Sequence, residues 1–331
     1  MKILLLSHEG DIDGLGNVVL AKLAFDNLEY HLFTTPVFLE KKFREMLEND
    51  SLSSYDMIFI TDLALESPSL ELVAQTPHLA AKVRVLDHHT TAIENGFGIY
   101  SFTKIEECRE DGHKRCGTEM FYEYLTEHGL LKKTPILDDF TELTRLEDTW
   151  EWKGEGNRGL KAHDMAILLS GLGVENYIDA MYNKVTSQNQ TVEFNEDEQN
   201  LIASKKREYE MTLQNLWENT EILTDEFKNR FGIVYADYEY RNELAEYIRK
   251  LADKKDIEYI VIVSLEKGVA GQKSYRSIDE NFDVNEIATL HGGGGHSKAA
   301  GVNITEEQKA KSLTLPKKEG LEYLAKSKYT D

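Results

Sequence analysis

Over the first hundred positions, short apolar runs alternate with amphipathic stretches. The runs fall at residues 3–6, 30–34, 57–61 and 83–86, and the helical patterns between them at about 15–27, 40–47 and 67–74. Strands alternating with helices predict a parallel, doubly wound α/β sheet. From 117 to 185 the pattern is mostly helical. Ile136, Phe140, Leu143 and Leu146 recur at helical spacing behind Pro135, and that helix runs toward Asp148-Thr149-Trp150, with a loop at 153–159 after it. The polar stretch 187–197 leads into a long charged helix over 196–218, read as an interdomain connector. Strands at 232–236, 259–264 and 274–278, a helix at 242–253 and a glycine-rich turn at 291–301 then describe a second α/β domain. The expected fold is α/β throughout: an N-terminal doubly wound parallel sheet domain with a helical extension over 1–190, a helical linker over 191–222, and a smaller C-terminal α/β domain over 223–331, across a cleft from the first.

Three of the predicted strands end in unusual chemistry. The run 3–6 leads into Ser7-His8-Glu9-Gly10-Asp11-Ile12-Asp13-Gly14-Leu15-Gly16, the run 57–61 into Asp62, and the run 83–86 into Asp87-His88-His89. Ligand sites in open α/β sheets lie outside the carboxyl ends of the strands, so these acids and histidines are delivered to one edge. Two carboxylates one residue apart at the end of a buried strand repel each other unless a cation or a hydrogen-bond network neutralises them. A divalent metal is the simplest neutraliser, and imidazole with carboxylate suits Mn, Fe, Co or Zn better than Ca or Mg. Taken alone, the first loop also reads as a solvated acidic turn with Asp13 capping the next helix.

Composition narrows the partners. A chain of 331 residues with a formal charge of -21 does not wrap long duplex nucleic acid, whose affinity comes from many Lys and Arg contacts to phosphate. Small phosphorylated substrates stay open, because local cations or bound metals dominate at short range. No apolar run reaches the length of a membrane span, and no signal-peptide pattern opens the chain, so it reads as soluble and cytoplasmic with no membrane partner. Cys108 and Cys116 are too few for a disulfide scaffold, and with His113 they lack the spacing and the fourth ligand of a zinc site. They read as reduced thiols.

The run His291-Gly292-Gly293-Gly294-Gly295-His296 lets backbone approach a ligand and aims several N–H groups at an anion, with His296 and Lys298 as further donors. Arg276 offers a planar fork for phosphate. The set Asp11-Ile12-Asp13-Gly14, Asp62, Asp87-His88-His89 and Asp148, followed by Gly293-Gly294-Gly295-His296 and Ala299-Ala300-Gly301, resembles the DHH phosphoesterase superfamily with its DHH-associated C-terminal domain. The resemblance spans both domains in the family's order, and is strongest to its small nanoRNase or oligoribonuclease members.

That resemblance implies a phosphodiesterase with two divalent metal ions, manganese first among them, acting on very short oligoribonucleotides or dinucleotides. It implies one metal on His8, Asp11 and Asp62, and a second on Asp13, Asp62, His88 and Asp148, with His89 facing the phosphate and Asp87 orienting a ligand. Arg276, Gly293, Gly294, Gly295 and His296 would bind substrate. A phosphatase acting on 3'-phosphoadenosine 5'-phosphate and a hydrolase of linear or cyclic dinucleotides share the same catalytic core. A non-catalytic nucleotide-binding module is the reading from another class. The assembly state, homodimer included, is left open.

Overall fold

The first apolar run becomes an inner strand of a five-stranded parallel sheet in a computed structural model, which describes residues 1–237, 240–265 and 271–328. The chain divides into two units, Met1–Lys205 and Lys206–Asp331. The first unit begins with β1 (Ile3–His8), α1 (Ile12–Ala24), β2 (Leu28–Phe33), α2 (Pro36–Glu48), β3 (Met57–Thr61), α3 (Ser67–Gln75), α4 (Pro77–Ala80), β4 (Val83–Asp87), α5 (Thr90–Glu94) and β5 (Thr103–Ile105). The helices α6 (Gly117–Glu127), α7 (Pro135–Asp148), α8 (Gly156–Leu172) and α9 (Val174–Val185) follow, and α10 (Glu196–Glu218) carries the chain past the division.

The strands lie in the order β2-β1-β3-β4-β5, all parallel. Side chains along a strand alternate between faces. Ile3 and Leu5 accordingly join a core with α1 and α6 to α9, while Leu4 and Leu6 join another with α2 and α3. Burial on both faces is why these strands read as unbroken apolar runs rather than alternating ones. Strand β5 was not visible in that pattern, since Thr103-Lys104-Ile105 is only partly buried.

Three details differ from the sequence reading. Helix α1 starts at Ile12 rather than near 15, because Asp11 and not Asp13 caps it: the Asp11 side chain accepts the backbone N–H groups of Asp13 and Gly14. Asp13 is fully buried in the first turn, so the solvated-turn reading of this loop fails. The stretch 153–159 is no open loop, for a 3-10 turn at Glu151–Gly154 is followed at once by α8.

The second unit contains β6 (Glu221–Thr224), β7 (Arg230–Tyr235), α11 (Arg241–Lys250), β8 (Tyr259–Ser264), β9 (Gln272–Ser277), α12 (Val284–Leu290), β10 (Gly294–His296), β11 (Ala299–Asn303), α13 (Glu306–Thr314) and α14 (Lys317–Lys326). Its mixed sheet has the order β10-β11-β9-β8-β7-β6, and only β7 and β8 pair in parallel. All six residues of β8 are buried, with apolar layers on both sides. The glycine-rich segment read as a turn is instead a hairpin strand: Gly294, Gly295 and His296 pair with Gly301, Ala300 and Ala299. Among the described residues no helix is long and apolar enough to cross a membrane.

Candidate metal centre

The sheet order puts β1 and β3 side by side, although β2 lies between them in sequence. The chain therefore leaves β1 in one direction and returns on its other side, which opens a crevice at the carboxyl ends of the two strands. His8 closes β1, Asp62 follows β3, and Asp87 closes β4, with His88 and His89 just beyond. Asp148 arrives separately as the last residue of α7.

These side chains converge. His8, Asp11 and Asp62 bring one donor atom each within 4.8 Å of one another; so do Asp13, His88 and Asp148, and so do Asp62, Asp87, His88 and His89. His8 Nδ1 lies 2.9 Å from Asp11 Oδ2 and 3.5 Å from Asp62 Oδ2. On the other side, His88 Nε2 lies 3.2 Å from Asp62 Oδ1 and 3.6 Å from both Asp13 Oδ2 and Asp148 Oδ2. One Asp62 oxygen thus faces each group. Asp87 works differently: its Oδ1 accepts the backbone N–H groups of His88 and His89 and lies 2.7 Å from His89 Nδ1, fixing both residues after the strand.

The support beneath the centre is built from backbone. Asp13 points its carboxylate at the N-terminus of α6, whose Gly117 and Thr118 N–H groups donate at 2.6 and 2.7 Å, while the Thr118 hydroxyl donates to the Asp13 carbonyl. A helix N-terminus is a natural anion seat. Gly117 has to be glycine, because a Cβ there would come within 2.7 Å of Asp62 Cβ. Gly14 meets a similar limit, its absent Cβ falling 2.1 Å from the His8 carbonyl oxygen. Thr61 donates to the Ser7 hydroxyl, which donates in turn to the Gly14 carbonyl, tying β3, β1 and α1 together below the acids. Asp62 itself adopts a left-handed backbone, φ 58°, which Asp tolerates better than most residues.

Electrostatically the centre is unbalanced as it stands. Burial, reinforced by the charge of Asp13, pushes the Asp62 and Asp148 carboxyls well above the usual carboxylate range. Burial opposes charge on His8 as well, but the hydrogen bond to Asp11 and the nearby charges of Asp11 and Asp62 outweigh it and raise the imidazole to about 10. His88 is raised against its burial by Asp13 and Asp148, and His89 chiefly by its hydrogen bond to Asp87. Asp62 Oδ2 and Asp148 Oδ2 are buried without a hydrogen-bond partner. Orphaned buried oxygens carry a desolvation penalty that a cation would relieve. With imidazole and carboxylate donors already gathered, the residues fit divalent metal ions.

All eight residues expected in the first domain, His8, Asp11, Asp13, Asp62, Asp87, His88, His89 and Asp148, come together here. The five expected to bind substrate lie in the second unit. Arg276, on β9, donates from Nε to Asn242 Oδ1 at 3.0 Å and from a terminal nitrogen to the Tyr275 carbonyl at 2.8 Å. Gly294, Gly295 and His296 are exposed along β10 with Gly293 just before it, and a Cβ on Gly293 would fall 2.1 Å from the Gly301 carbonyl oxygen. What the sequence did not reveal is the seat for Asp13. Cys116-Gly117-Thr118 carried a faint signal, a small residue at a predicted helix start. The Cys116 thiol caps that helix by accepting the Glu119 N–H, Cys108 is exposed, and no donor cluster among the described residues includes a cysteine.

Comparison with known proteins identifies the family. Residues 229–315 match the DHHA1 domain. The chain is 33% identical over 307 residues to oligoribonuclease NrnB of Bacillus subtilis, covering 92% of this chain and 73% of the relative. Among solved structures, the DHH domain of a member of a family of ribosomal proteins has the same fold, with a TM-score of 0.56 at 13% identity, covering 99% of this chain and 87% of that one. Sequence kinship over nearly the whole chain, a DHHA1 domain and acids gathered around Asp87-His88-His89 make this chain a member of the DHH phosphoesterase family, of the NrnB-like kind.

Proposed function

We propose that the chain is a metal-dependent phosphodiesterase that hydrolyses very short oligoribonucleotides to mononucleotides. The observation that carries the reading is the Asp62 carboxylate, with one oxygen toward His8 and Asp11 and the other toward His88. A carboxylate so placed could contribute one oxygen to each of two cations. His8, Asp11 and Asp62 would hold one, and Asp13, Asp62, His88 and Asp148 the other, manganese suiting this mixture of imidazole and carboxylate. When bound, such a pair lowers the pKa of water and offsets charge on phosphoryl oxygens.

The remaining work belongs to the protein. His89, with Nδ1 fixed by Asp87 and its pKa raised by that hydrogen bond, would present Nε2 to a phosphoryl oxygen. Asp87 positions it and does not touch the substrate. The seat on α6 holds Asp13 in one orientation, so the centre is organised before substrate arrives. The DHHA1 unit would bind nucleotide through Arg276, whose fork is already steadied by Asn242, and through Gly293 with the exposed residues Gly294, Gly295 and His296. The name of the B. subtilis relative supports oligoribonucleotides as the substrate class.

The test is incubation with Mn²⁺ and labelled dinucleotide, pentanucleotide, a long RNA, 3'-phosphoadenosine 5'-phosphate and a cyclic dinucleotide. Mononucleotides should accumulate from the two shortest RNAs while the long RNA persists. Turnover confined to 3'-phosphoadenosine 5'-phosphate or the cyclic dinucleotide would replace the substrate class, and turnover of none would overturn the enzyme.

A further inference from the structure

Two residues beyond Asp148 the backbone enters the left-handed region at Trp150, with φ of 63°. A bulky L residue is disfavoured there by the clash of its Cβ with the neighbouring carbonyl, and helices that end this way usually carry glycine or asparagine. Burial does not compensate, for Trp150 is 52% exposed. Its neighbour Trp152 shows the ordinary arrangement: partly buried, it stacks on His163 with ring centres 4.2 Å apart and planes 10° from parallel, and His163 is held by Glu147. Trp150 has no aromatic partner among the described residues; its contact is the Lys153 ammonium, 4.7 Å over the ring. A strained backbone kept at an exposed aromatic residue points to a use for the ring.

Position suggests the use. Two trans-peptide steps of about 3.8 Å keep the Trp150 Cα within roughly 7.6 Å of that of Asp148. The Asp148 carboxylate in turn lies 3.6 Å from His88 Nε2 in the candidate centre. The Trp150 backbone is thus close to a residue of the centre, and a nucleotide whose phosphate sat there would carry its base into the same neighbourhood. An indole takes any unpaired base, since every base presents a flat π face. In a duplex both faces of a base are covered by its neighbours, so a platform here would favour short single strands.

We propose that Trp150 is a stacking platform for the nucleobase adjoining the scissile phosphate, with Lys153 backing the ring. The proposal rests on the phosphodiesterase reading above and on the placement of Asp148 in its centre. It makes Trp150 a binding residue, felt in KM for substrates that carry a base.

The left-handed backbone supplies a clean test. In Trp150→Gly the ring is lost while the residue favours the same φ, so the variant should melt no lower than the parent. With Mn²⁺ and a dinucleotide, KM should rise about 5- to 150-fold with kcat within about twofold, as expected for loss of one base stack. Trp150→Phe should restore most of the affinity. With dinucleotides made abasic at either position, the one lacking the stacked base should be cleaved equally by parent and Trp150→Gly. An unchanged KM for the dinucleotide, or the same rise with both abasic substrates, would overturn the proposal.

Binding separates this claim from the enzyme reading. Dinucleotide should quench tryptophan fluorescence of the parent and not of Trp150→Phe, both in Ca²⁺ and in EDTA. Trp150-dependent quenching without turnover would keep the platform and remove the proposed reaction. Turnover without Trp150 dependence would do the reverse, and absence of both would remove both.

Discussion

Residues 8–13 and residues 293–296 are both short polar segments rich in glycine or histidine, and the protein builds them in opposite ways. The first buries its charge: Asp13 is fully enclosed, Asp11 is spent on a helix cap, and a helix N-terminus is turned inward to seat one carboxylate. The second exposes Gly294, Gly295 and His296 along a hairpin strand, while Gly293 and Gly295 serve close approach to Gly301 and Ala300. Charge enclosed with like charge needs a permanent counterion. Exposed backbone can wait for a transient one. The first segment should therefore respond to metal and the second to substrate.

The largest break in that contrast should come from Asp62→Asn. Asn keeps the shape and tolerates the left-handed backbone but cannot bridge two cations, so Mn²⁺-supported hydrolysis of a dinucleotide should fall on the order of 10³-fold or more. Without metal the variant should melt no lower than the parent, since one of several mutually repelling carboxylates is gone. Near-parental activity would remove Asp62 from the centre. In the second unit Arg276→Ala should act more mildly, raising KM about tenfold with kcat little changed, as for one charged hydrogen bond lost in the ground state. A pure kcat effect would place Arg276 at the reacting phosphate instead.

Metal alone sharpens the comparison. At a hundredfold excess over its Kd, a bound ion adds about 2.7 kcal/mol to the state that binds it. Hydrogen exchange should accordingly slow around residues 7–17, 61–63 and 117–118 on adding Mn²⁺ and stay unchanged across β7 to β11; an equal response in both units would refute the division.

Acid and base give the smallest effect and a definite sign. The folded state of His8 holds its proton up to about 10, against 6.5 when unexposed to these partners, so its contribution is complete below 6.5 and is lost as pH rises to about 10. His88, His89, Asp62 and Asp148 are shifted upward too and lose stability in the same direction. In EDTA the melting temperature should fall between pH 6.5 and 10, and saturating metal should flatten that slope. A rising curve in EDTA would contradict the geometry around His8.

Much of the first unit was legible because buried parallel strands advertise themselves as apolar runs, and an acid or histidine at the end of such a run has few other reasons to be there. Asp62 and Asp87-His88-His89 were visible on that ground alone. Asp148 was not: it reaches the centre from α7, and the sequence shows neither the packing of α7 onto α1 nor which end of the helix meets the sheet. Glycine was the least readable residue. At Gly117 and Gly293 it answers to a neighbour far along the chain, Asp62 in one case and Gly301 in the other, and local sequence carries no trace of either. Strand β5 and the hairpin strand β10 were missed for want of buried apolar side chains.

The seat that α6 offers to Asp13 also furnishes a spectroscopic handle. Two amide protons, those of Gly117 and Thr118, point at a carboxylate that is itself a candidate ligand. Any cation that draws electron density from that carboxylate weakens both hydrogen bonds at once and moves both amide resonances upfield. A diamagnetic ion such as Mg²⁺ or Zn²⁺ could then be titrated by following two peaks, and the order in which the two halves of the centre fill would be readable by comparing them with the amide of Gly14, which reports on Asp11.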